Sequence, residues 1–186
     1  MANSPVNNLE FIVPLKHMTT LNISRTPIVD IKPLTLLPKL SSVDVSNTHL
    51  SEWEPLAKCK NLKTLFAREC SGFNTKAIGD ICTLKVLDMR NSYQGNLEFL
   101  SKMTKLECVW FENVERSSYH SSCKSGDLAV LKALPKLQQI GCSPEEFENI
   151  KFWFAGKMYF NVRGKEYVVE DYIKYTLVEY NKMKKL

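Results

Sequence analysis

Side chains that could carry out catalysis or bind a metal ion are few in this sequence and are scattered along it. Its three histidines, His17, His49 and His120, share no spacing, and no HExxH, GxSxG, Walker-type or glycine-rich dinucleotide-binding pattern occurs. The six cysteines include no CxxC pair. Buried free thiols in a reducing compartment are therefore favoured over disulfides or a zinc site. The sequence predicts that the protein is not an enzyme and has no metal or cofactor.

A second group of residues, aromatic and charged, is suited to recognition rather than to catalysis. Two series of them advance in steps of 22 residues: Asp44, Phe66, Asp88 and Trp110, and then Arg68, Arg90 and Glu112. Large aromatic side chains that face solvent are enriched at the hot spots of protein interfaces. Charges of both signs around them suit a protein surface better than a phosphate backbone, which favours Lys and Arg alone. These residues predict a protein-binding site, provided that one surface presents both series.

The step of 22 residues is the period of an internal repeat. Apolar LxxLxL triplets begin at Met18, Leu40, Leu62, Leu84 and Leu106. A sixth triplet begins at Leu137, and the extra residues before it fall in a Ser-rich stretch, residues 115–127, which we interpret as a loop. Each triplet predicts a short strand with its apolar residues pointing inward. No single unit can cover that apolar face, so neighbouring units must stack around one continuous core.

The segments between the strands carry their own signals. A polar or thiol side chain recurs near the end of the first four strands, where it can bond to the turning backbone: Thr26, Thr48, Cys70 and Ser92; Val114 at the fifth cannot. The connecting segments are short and contain prolines, which predicts one helical or 3₁₀ turn per repeat on the outer side. Leu9, Ile12 and Leu15 indicate a partial first unit that caps the N-terminal end.

The stretches "LTLLPKLSSVDVSNTHL" and "LSKMTKLECVWFENV" resemble the short leucine-rich-repeat class typified by the regulatory subunit of protein phosphatase 1 and the leucine-rich dynein light chain. The stretch "LAVLKALPKLQQIGC" is similar to the C-terminal cap of that class, although Gly141 and Cys142 depart from its usual ending. Thr and Ser in place of Asn resemble the threonine-bearing repeats frequent in kinetoplastid parasites. The resemblance covers residues 9–145. It implies an α/β fold: a right-handed solenoid with a curved parallel sheet on its concave face.

In that architecture the strand residues between the apolar positions project from the concave face, which would place Phe66 and Trp110 there. The alternatives are that the chain's own C-terminal segment covers these two rings, or that they are exposed without a role. We expect a non-catalytic adaptor or a subunit of a larger assembly, binding a protein partner by rigid recognition. The resemblance allows a phosphatase-type or motor-type partner.

Residues 1–150 are predicted to form the repeat domain, with about six repeats, and residues 151–186 a small α+β appendage. The appendage holds nine of the nineteen aromatic residues and a net charge of +4. Two strands are expected within residues 158–169, around a turn at Arg163 and Gly164, with a helix from about Glu170. One interpretation is a cap that hides Ile140 and Phe147 from water.

The other interpretation of residues 151–186 is a docking element in which Tyr172, Tyr175 and Glu179 meet a partner. Basic residues interleaved with aromatics also bind single-stranded nucleic acid. The alternative function is therefore an RNA-associated subunit of a ribonucleoprotein complex that contacts RNA through this segment.

The bulk composition limits the class of protein and its location. Hydrophobic residues make up 44% and charged residues 24% of the 186 residues, as in ordinary globular proteins. Residues 1–14 lack the pattern of a secretory signal, and no apolar run approaches the ~18 residues of a membrane span. We expect an intracellular protein, cytoplasmic or nuclear, without a membrane or a small-molecule substrate as partner.

Overall fold

Each apolar triplet of the repeat contributes a short strand to one sheet. The computed structural model describes residues 1–92, 97–112, 127–154, 156–170 and 173–184. Within these ranges nine strands lie side by side in chain order: β1 Thr20–Asn22, β2 Ser42–Asp44, β3 Thr64–Phe66, β4 Val86–Asp88, β5 Cys108–Trp110, β6 Gln139–Cys142, β7 Met158–Val162, β8 Lys165–Glu170 and β9 Ile173–Thr176. Strands β1 to β7 are parallel, whereas β8 and β9 are antiparallel to their neighbours.

The sheet keeps the 22-residue register that the sequence predicts. Leu21, Val43 and Leu65 lie opposite one another in successive strands, followed by Leu87 and Val109. Ile140 continues the row although it is 31 residues beyond Val109. The Ser-rich loop prediction falls largely on residues 113–126, which lie outside the described part of the chain.

One short helical turn precedes each strand from β1 to β6, as predicted from the length and proline content of the connecting segments. The α-helical turns are α1 Glu54–Ala57 and α2 Thr75–Gly79, and the 3₁₀ turns are Glu10–Ile12, Lys32–Leu36, Glu98–Lys102 and Asp127–Ala133. Two further helices follow β6 and β9: α3 Pro144–Ile150 and α4 Leu177–Met183. Among the described residues, no helix is both long enough and apolar enough to span a membrane.

The core lies between the sheet and the helical turns. The turns bury a repeated set of aliphatic side chains: Leu34, Leu56, Ile78, Leu100 and Leu131. Trp53 is also buried and meets Phe73 edge to face, with 5.1 Å between ring centroids. Leu9 and Ile12 close the N-terminal end of the core, as the partial first unit predicts, but Leu15 is 49% exposed. Burial of each large aliphatic side chain contributes roughly 1.5–3 kcal/mol to folding.

The corner after each strand is stabilised by the predicted polar side chains. Thr26 Oγ1 donates to Ile23 O at 2.6 Å and Thr48 Oγ1 donates to Val45 O at 2.5 Å. Cys70 Sγ and the Ser92 hydroxyl instead reach carbonyls of the preceding coil. The backbone turns through the left-handed region at four non-glycine residues spaced by 22: Arg25, Asn47, Glu69 and Asn91, with φ between 53° and 57°. These corners fix the direction in which the chain leaves each strand.

The C-terminal hairpin forms as predicted, but the helix prediction from Glu170 was wrong. Arg163 and Gly164 make the turn between β7 and β8 with positive φ values of 47° and 81°. Residues 173–176 form a third strand because their alternating β-branched and aromatic side chains favour a sheet. Helix α4 begins only after Thr176, whose hydroxyl accepts from Glu179 N at 3.2 Å while Glu179 Oε2 accepts from Thr176 N at 2.8 Å. This capping box sets the helix start.

The terminal hairpin covers the last repeat on its core side. The Phe147 ring meets Phe160 at 5.0 Å and stacks on Tyr167 at 5.1 Å between centroids, and Ile140 is fully buried. These are the contacts that the cap interpretation predicts. The sheet crosses the predicted domain boundary near residue 150 without interruption, since β6 pairs with β7.

Candidate functional site on the concave face

The concave face is formed by the strand side chains that point away from the core and by the residue two positions after each of them. The alternation of the strands places Asp44, Phe66, Asp88 and Trp110 in one row across β2 to β5. Arg68, Arg90 and Glu112 follow at the ends of β3, β4 and β5. The structure therefore brings seven of the nine predicted site residues together on one surface.

Asp88 is the centre of this surface. Its carboxylate is 2% exposed and accepts two hydrogen bonds from Arg90, from Nε at 2.9 Å and from Nη2 at 2.7 Å. Arg68 Nε lies 3.4 Å from Asp88 Oδ2 on the other side. The hydrogen bond to Asp88 raises the pKa of the Arg90 guanidinium. A buried carboxylate is tolerated only when it is paired in this way. Its two hydrogen bonds hold Arg90 in a fixed position, whereas Arg68 Nε approaches as an ion pair without a hydrogen bond.

The two aromatic rings of the row flank this cluster, and both are partly exposed. The Arg68 guanidinium carbon lies 5.6 Å from the centroid of Phe66, within the range of a cation–π contact. The Trp110 indole rests on the backbone of Gly141 in β6, where a Cβ atom would lie only 1.7 Å from Trp110 Cδ1. Gly141 therefore allows the indole to lie close to the sheet.

Glu112 is held by a residue that sequence analysis assigned only to a turn. It is 8% exposed, and Arg163 Nε in the β7–β8 turn donates to its Oε1 at 2.9 Å. The two residues are 51 positions apart, so no local pattern in the sequence indicates this pair. At the other end of the row, Asp44 accepts from Asn22 Nδ2 at 3.2 Å and from Ser46 N at 2.9 Å.

Comparisons with known proteins identify the fold. No family model and no curated protein sequence matches the chain. Among solved structures, an internalin (inlF) from Listeria monocytogenes matches with a TM-score of 0.61 and 20% identity, over 74% of this chain and 38% of that chain. An internalin C2 (inlC2) from the same organism matches with a TM-score of 0.56 and 20% identity, over 76% and 69%. A leucine-rich-repeat protein of Leptospira interrogans gives 0.53 and 16%, over 75% and 36%.

The chain has the leucine-rich-repeat fold. At these identities the likeness extends to the fold alone, and repeats of this kind support many functions. The chain spans 38% of the length of the inlF structure.

Two shallow clefts lie along the edge of the leucine-rich-repeat sheet, beside the left-handed corners. One has a volume of about 220 Å³ and is lined by Arg68, Glu69, Arg90, Asn91 and Glu112. The other, of about 250 Å³, adjoins it and extends past Asp44 to Arg25 and Asn3. Both linings carry charges of each sign, so the clefts offer donors and acceptors to polar side chains of a partner rather than an apolar pocket for a small molecule.

The two tyrosines predicted to belong to the site are not brought to it. Tyr172 lies outside the described residues. Tyr175 is on β9, four strands from Trp110, which corresponds to a separation of about 19 Å. Its ring meets Tyr180 of α4 at 5.8 Å between centroids.

The described thiols are spread over the structure, and Cys108 lies on the concave face, two residues before Trp110 in β5. Within the described ranges, no group of three or more His, Cys, Asp or Glu side chains is arranged to hold a metal ion. The five described cysteines are free thiols. Cys59, Cys70 and Cys142 are buried, as predicted, but Cys82 is exposed and Cys108 is half-buried. Burial raises the pKa of the Cys59 thiol to about 11 and raises that of Cys142 further. Because thiolates are the reactive form, these two thiols are unreactive near neutral pH.

Proposed function

We propose that this leucine-rich-repeat protein is a non-catalytic adaptor or assembly subunit that binds a protein partner through the concave face. The observation that carries this proposal is the row Phe66, Asp88, Trp110, in which two partly exposed aromatics flank a carboxylate that forms ion pairs with two arginines. Aromatic and arginine side chains are the residues most enriched at interface hot spots. Charges of both signs around them can pair with a polar protein surface.

The sheet prepares this surface for binding before the partner arrives. Phe66 and Trp110 are two strands apart, which corresponds to about 10 Å. Phe66 is held against Arg68, and Trp110 is held against Gly141. Because these side chains are already ordered, their docking loses little conformational entropy, and more of the contact free energy remains for affinity.

We also propose a repeat class, a kind of partner and a role for each of the two segments of the chain. The 22-residue register supports membership in the short leucine-rich-repeat class, for which a phosphatase-type or motor-type partner inside the cell is the expectation. We assign recognition to residues 1–150 and a capping role to residues 151–186. The capping role is supported by the burial of Phe147 beneath the terminal hairpin.

Affinity capture from native extract tests the concave face with three full-length proteins. These are the wild type, the double variant Phe66→Ala/Trp110→Ala, and the control variant Phe11→Ala, which removes a 54% exposed ring at the N-terminal end. The double variant is expected to lose one protein partner, at a cost of roughly 2 kcal/mol or more per anchor, whereas the control retains it. Thermal melting verifies that all three are folded. Unchanged capture by the folded double variant would exclude the concave row as the docking site.

The alternative of RNA binding through residues 151–186 has less support. Two lysines of that segment are exposed but engaged with other side chains of the same segment. Lys157 lies over the rings of Tyr159 and Tyr180, at 4.7 and 4.4 Å, and Lys184 pairs with Glu170 at 3.4 Å. A cation engaged in this way is less available to a phosphate.

A further inference from the structure

One edge of the solenoid is strongly basic, although the repeat region as a whole is nearly neutral. This edge, here called the lysine rim, consists of six segments, each running from the last two residues of a helical turn to the start of the following strand: residues 11–19, 35–41, 56–63, 78–85, 101–107 and 132–138. The rim contains ten lysines, two acidic residues and no arginine. Its net charge is +8, whereas residues 1–150 as a whole carry only +1. The rest of the repeat region is therefore net acidic.

Backbone pairing shows that these segments form one continuous edge. Lys63 N donates to Ser41 O, Lys85 N to Lys63 O and Glu107 N to Lys85 O, each at 2.8 Å. All ten lysines of the rim are solvent-exposed. With adjacent strands about 4.8 Å apart, five steps extend the rim over roughly 24 Å.

Eight of the ten rim lysines have no acidic partner among the described residues: Lys16, Lys39, Lys58, Lys60, Lys63, Lys105, Lys132 and Lys136. The rim acids are engaged with other lysines, since Lys85 pairs with Glu107 at 2.6 Å and Lys102 with Asp80 at 3.5 Å. The unpaired ammonium groups repel one another, and an extended polyanion would relieve that repulsion by binding along the row.

Aromatic side chains lie at the C-terminal end of the rim. Residues 151–157 lead into β7 as the rim segments lead into the earlier strands. Within them Phe152 is 46% exposed, with Lys151 Nζ 5.1 Å from its ring centroid. Lys132 Nζ lies 4.3 Å from the centroid of Trp153. Lys132 and Lys151 are engaged by these rings, so the lysines of the rim that lack such contacts are the ones available to phosphates, and the exposed Phe152 ring at the end of the row can stack on a base.

We propose that the lysine rim binds single-stranded nucleic acid through its phosphates, without sequence preference, with Phe152 stacking on a base. Lysines act as point charges that neutralise phosphates without reading bases, and a flexible single strand can follow the curved edge of the solenoid. A stiff duplex would follow that curve less well, because its persistence length is about 50 nm. The rim is separate from the concave row, so this activity does not depend on the proposed protein partner.

Fluorescence anisotropy with labelled oligouridylate and oligothymidylate of about 15 nucleotides tests this assignment. The rim variant is Lys58→Gln/Lys60→Gln/Lys63→Gln. The control Lys32→Gln/Lys76→Gln/Lys182→Gln removes the same charge from exposed positions off the rim. Wild type is expected to bind both oligonucleotides with similar affinity. Each lost phosphate contact lowers the slope of log K against log salt by about 0.7, so the rim variant should lose roughly 2 from that slope.

At about 100 mM salt the rim variant should bind at least tenfold more weakly, whereas the control should keep the wild-type affinity. A second rim variant, Lys105→Gln/Lys136→Gln, gives the same test if the triple variant does not fold. Absence of binding to either oligonucleotide at about 50 mM salt overturns the proposal, and so does an equal loss in the control. Binding to phosphatidylserine vesicles or polyglutamate without binding to oligonucleotides also overturns it. Phe66→Ala/Trp110→Ala should retain oligonucleotide binding, which separates this proposal from the concave-face proposal.

Discussion

Replacing Gly141 with Ala is expected to displace the Trp110 indole from the concave face. A Cβ atom at residue 141 would lie 1.7 Å from Trp110 Cδ1 and 2.6 Å from Cγ, whereas ordinary van der Waals contact begins at 3.4 Å. The ring must therefore move by roughly 1.5 Å or more, because a packed sheet backbone yields little. The backbone of Gly141 lies outside the left-handed region, so Ala meets no conformational penalty there. Overpacking of this kind lowers the free energy of unfolding by about 1–3 kcal/mol.

A double-mutant cycle separates this contact from other effects of the substitution. In a Trp110→Ala background the added methyl group has room, and loss of a glycine restricts the unfolded chain. Gly141→Ala should then stabilise the protein by about 0.4–1 kcal/mol. The change of sign corresponds to a coupling of roughly 1.4–4 kcal/mol between residues 110 and 141. Urea denaturation followed by far-ultraviolet circular dichroism measures all four proteins. Equal effects of Gly141→Ala in both backgrounds would refute the close contact between the indole and the sheet.

Three further experiments test an ion pair, a buried carboxyl group and the cysteine thiols. Arg163→Ala should destabilise the protein by about 1–2 kcal/mol in urea denaturation, because Glu112 loses its guanidinium partner, and adding Glu112→Gln should restore most of that loss. Burial raises the pKa of Glu146, so the native state holds that proton more tightly than the unfolded state and stability falls as pH rises above about 4.5. Glu146→Gln should remove this part of the pH dependence, and a parallel decline in both proteins would contradict it. Iodoacetamide near pH 8 should label Cys82 in the native protein and spare Cys59, whose pKa of about 11 leaves roughly 0.1% thiolate, as peptide mass spectrometry would show.

The sequence predicts the repeat region well because its signals are local and periodic. The apolar triplets determine which strand residues are buried, and the 22-residue step determines which of them become neighbours. The sequence alone therefore places Phe66, Asp88 and Trp110 in one row. Thr26 and Thr48 are assigned to the strand corners for the same reason.

Features that depend on distant contacts or on competing local signals do not follow from the sequence in this way. The pair of Arg163 with Glu112 depends on where the terminal hairpin docks, which no spacing in the sequence encodes. The predicted start of α4 is too early because acidic Glu170 resembles a helix N-terminus, whereas Thr176 and Glu179 carry the capping signal. The lysine rim is not apparent from the net charge along the chain, because folding collects its lysines from six separate segments on one edge.

Because the register is constant, the side chains of the row on the concave face are spaced by whole numbers of strand separations. Asp88 separates Phe66 from Trp110 because one complete coil of 22 residues separates each from the next. Insertion or deletion of one such coil between them would change the distance between the aromatic rings by about 4.8 Å while leaving the packing within each coil the same. The spacing presented to a partner can therefore evolve in whole-strand increments, independently of the chemistry of the two side chains that mark its ends.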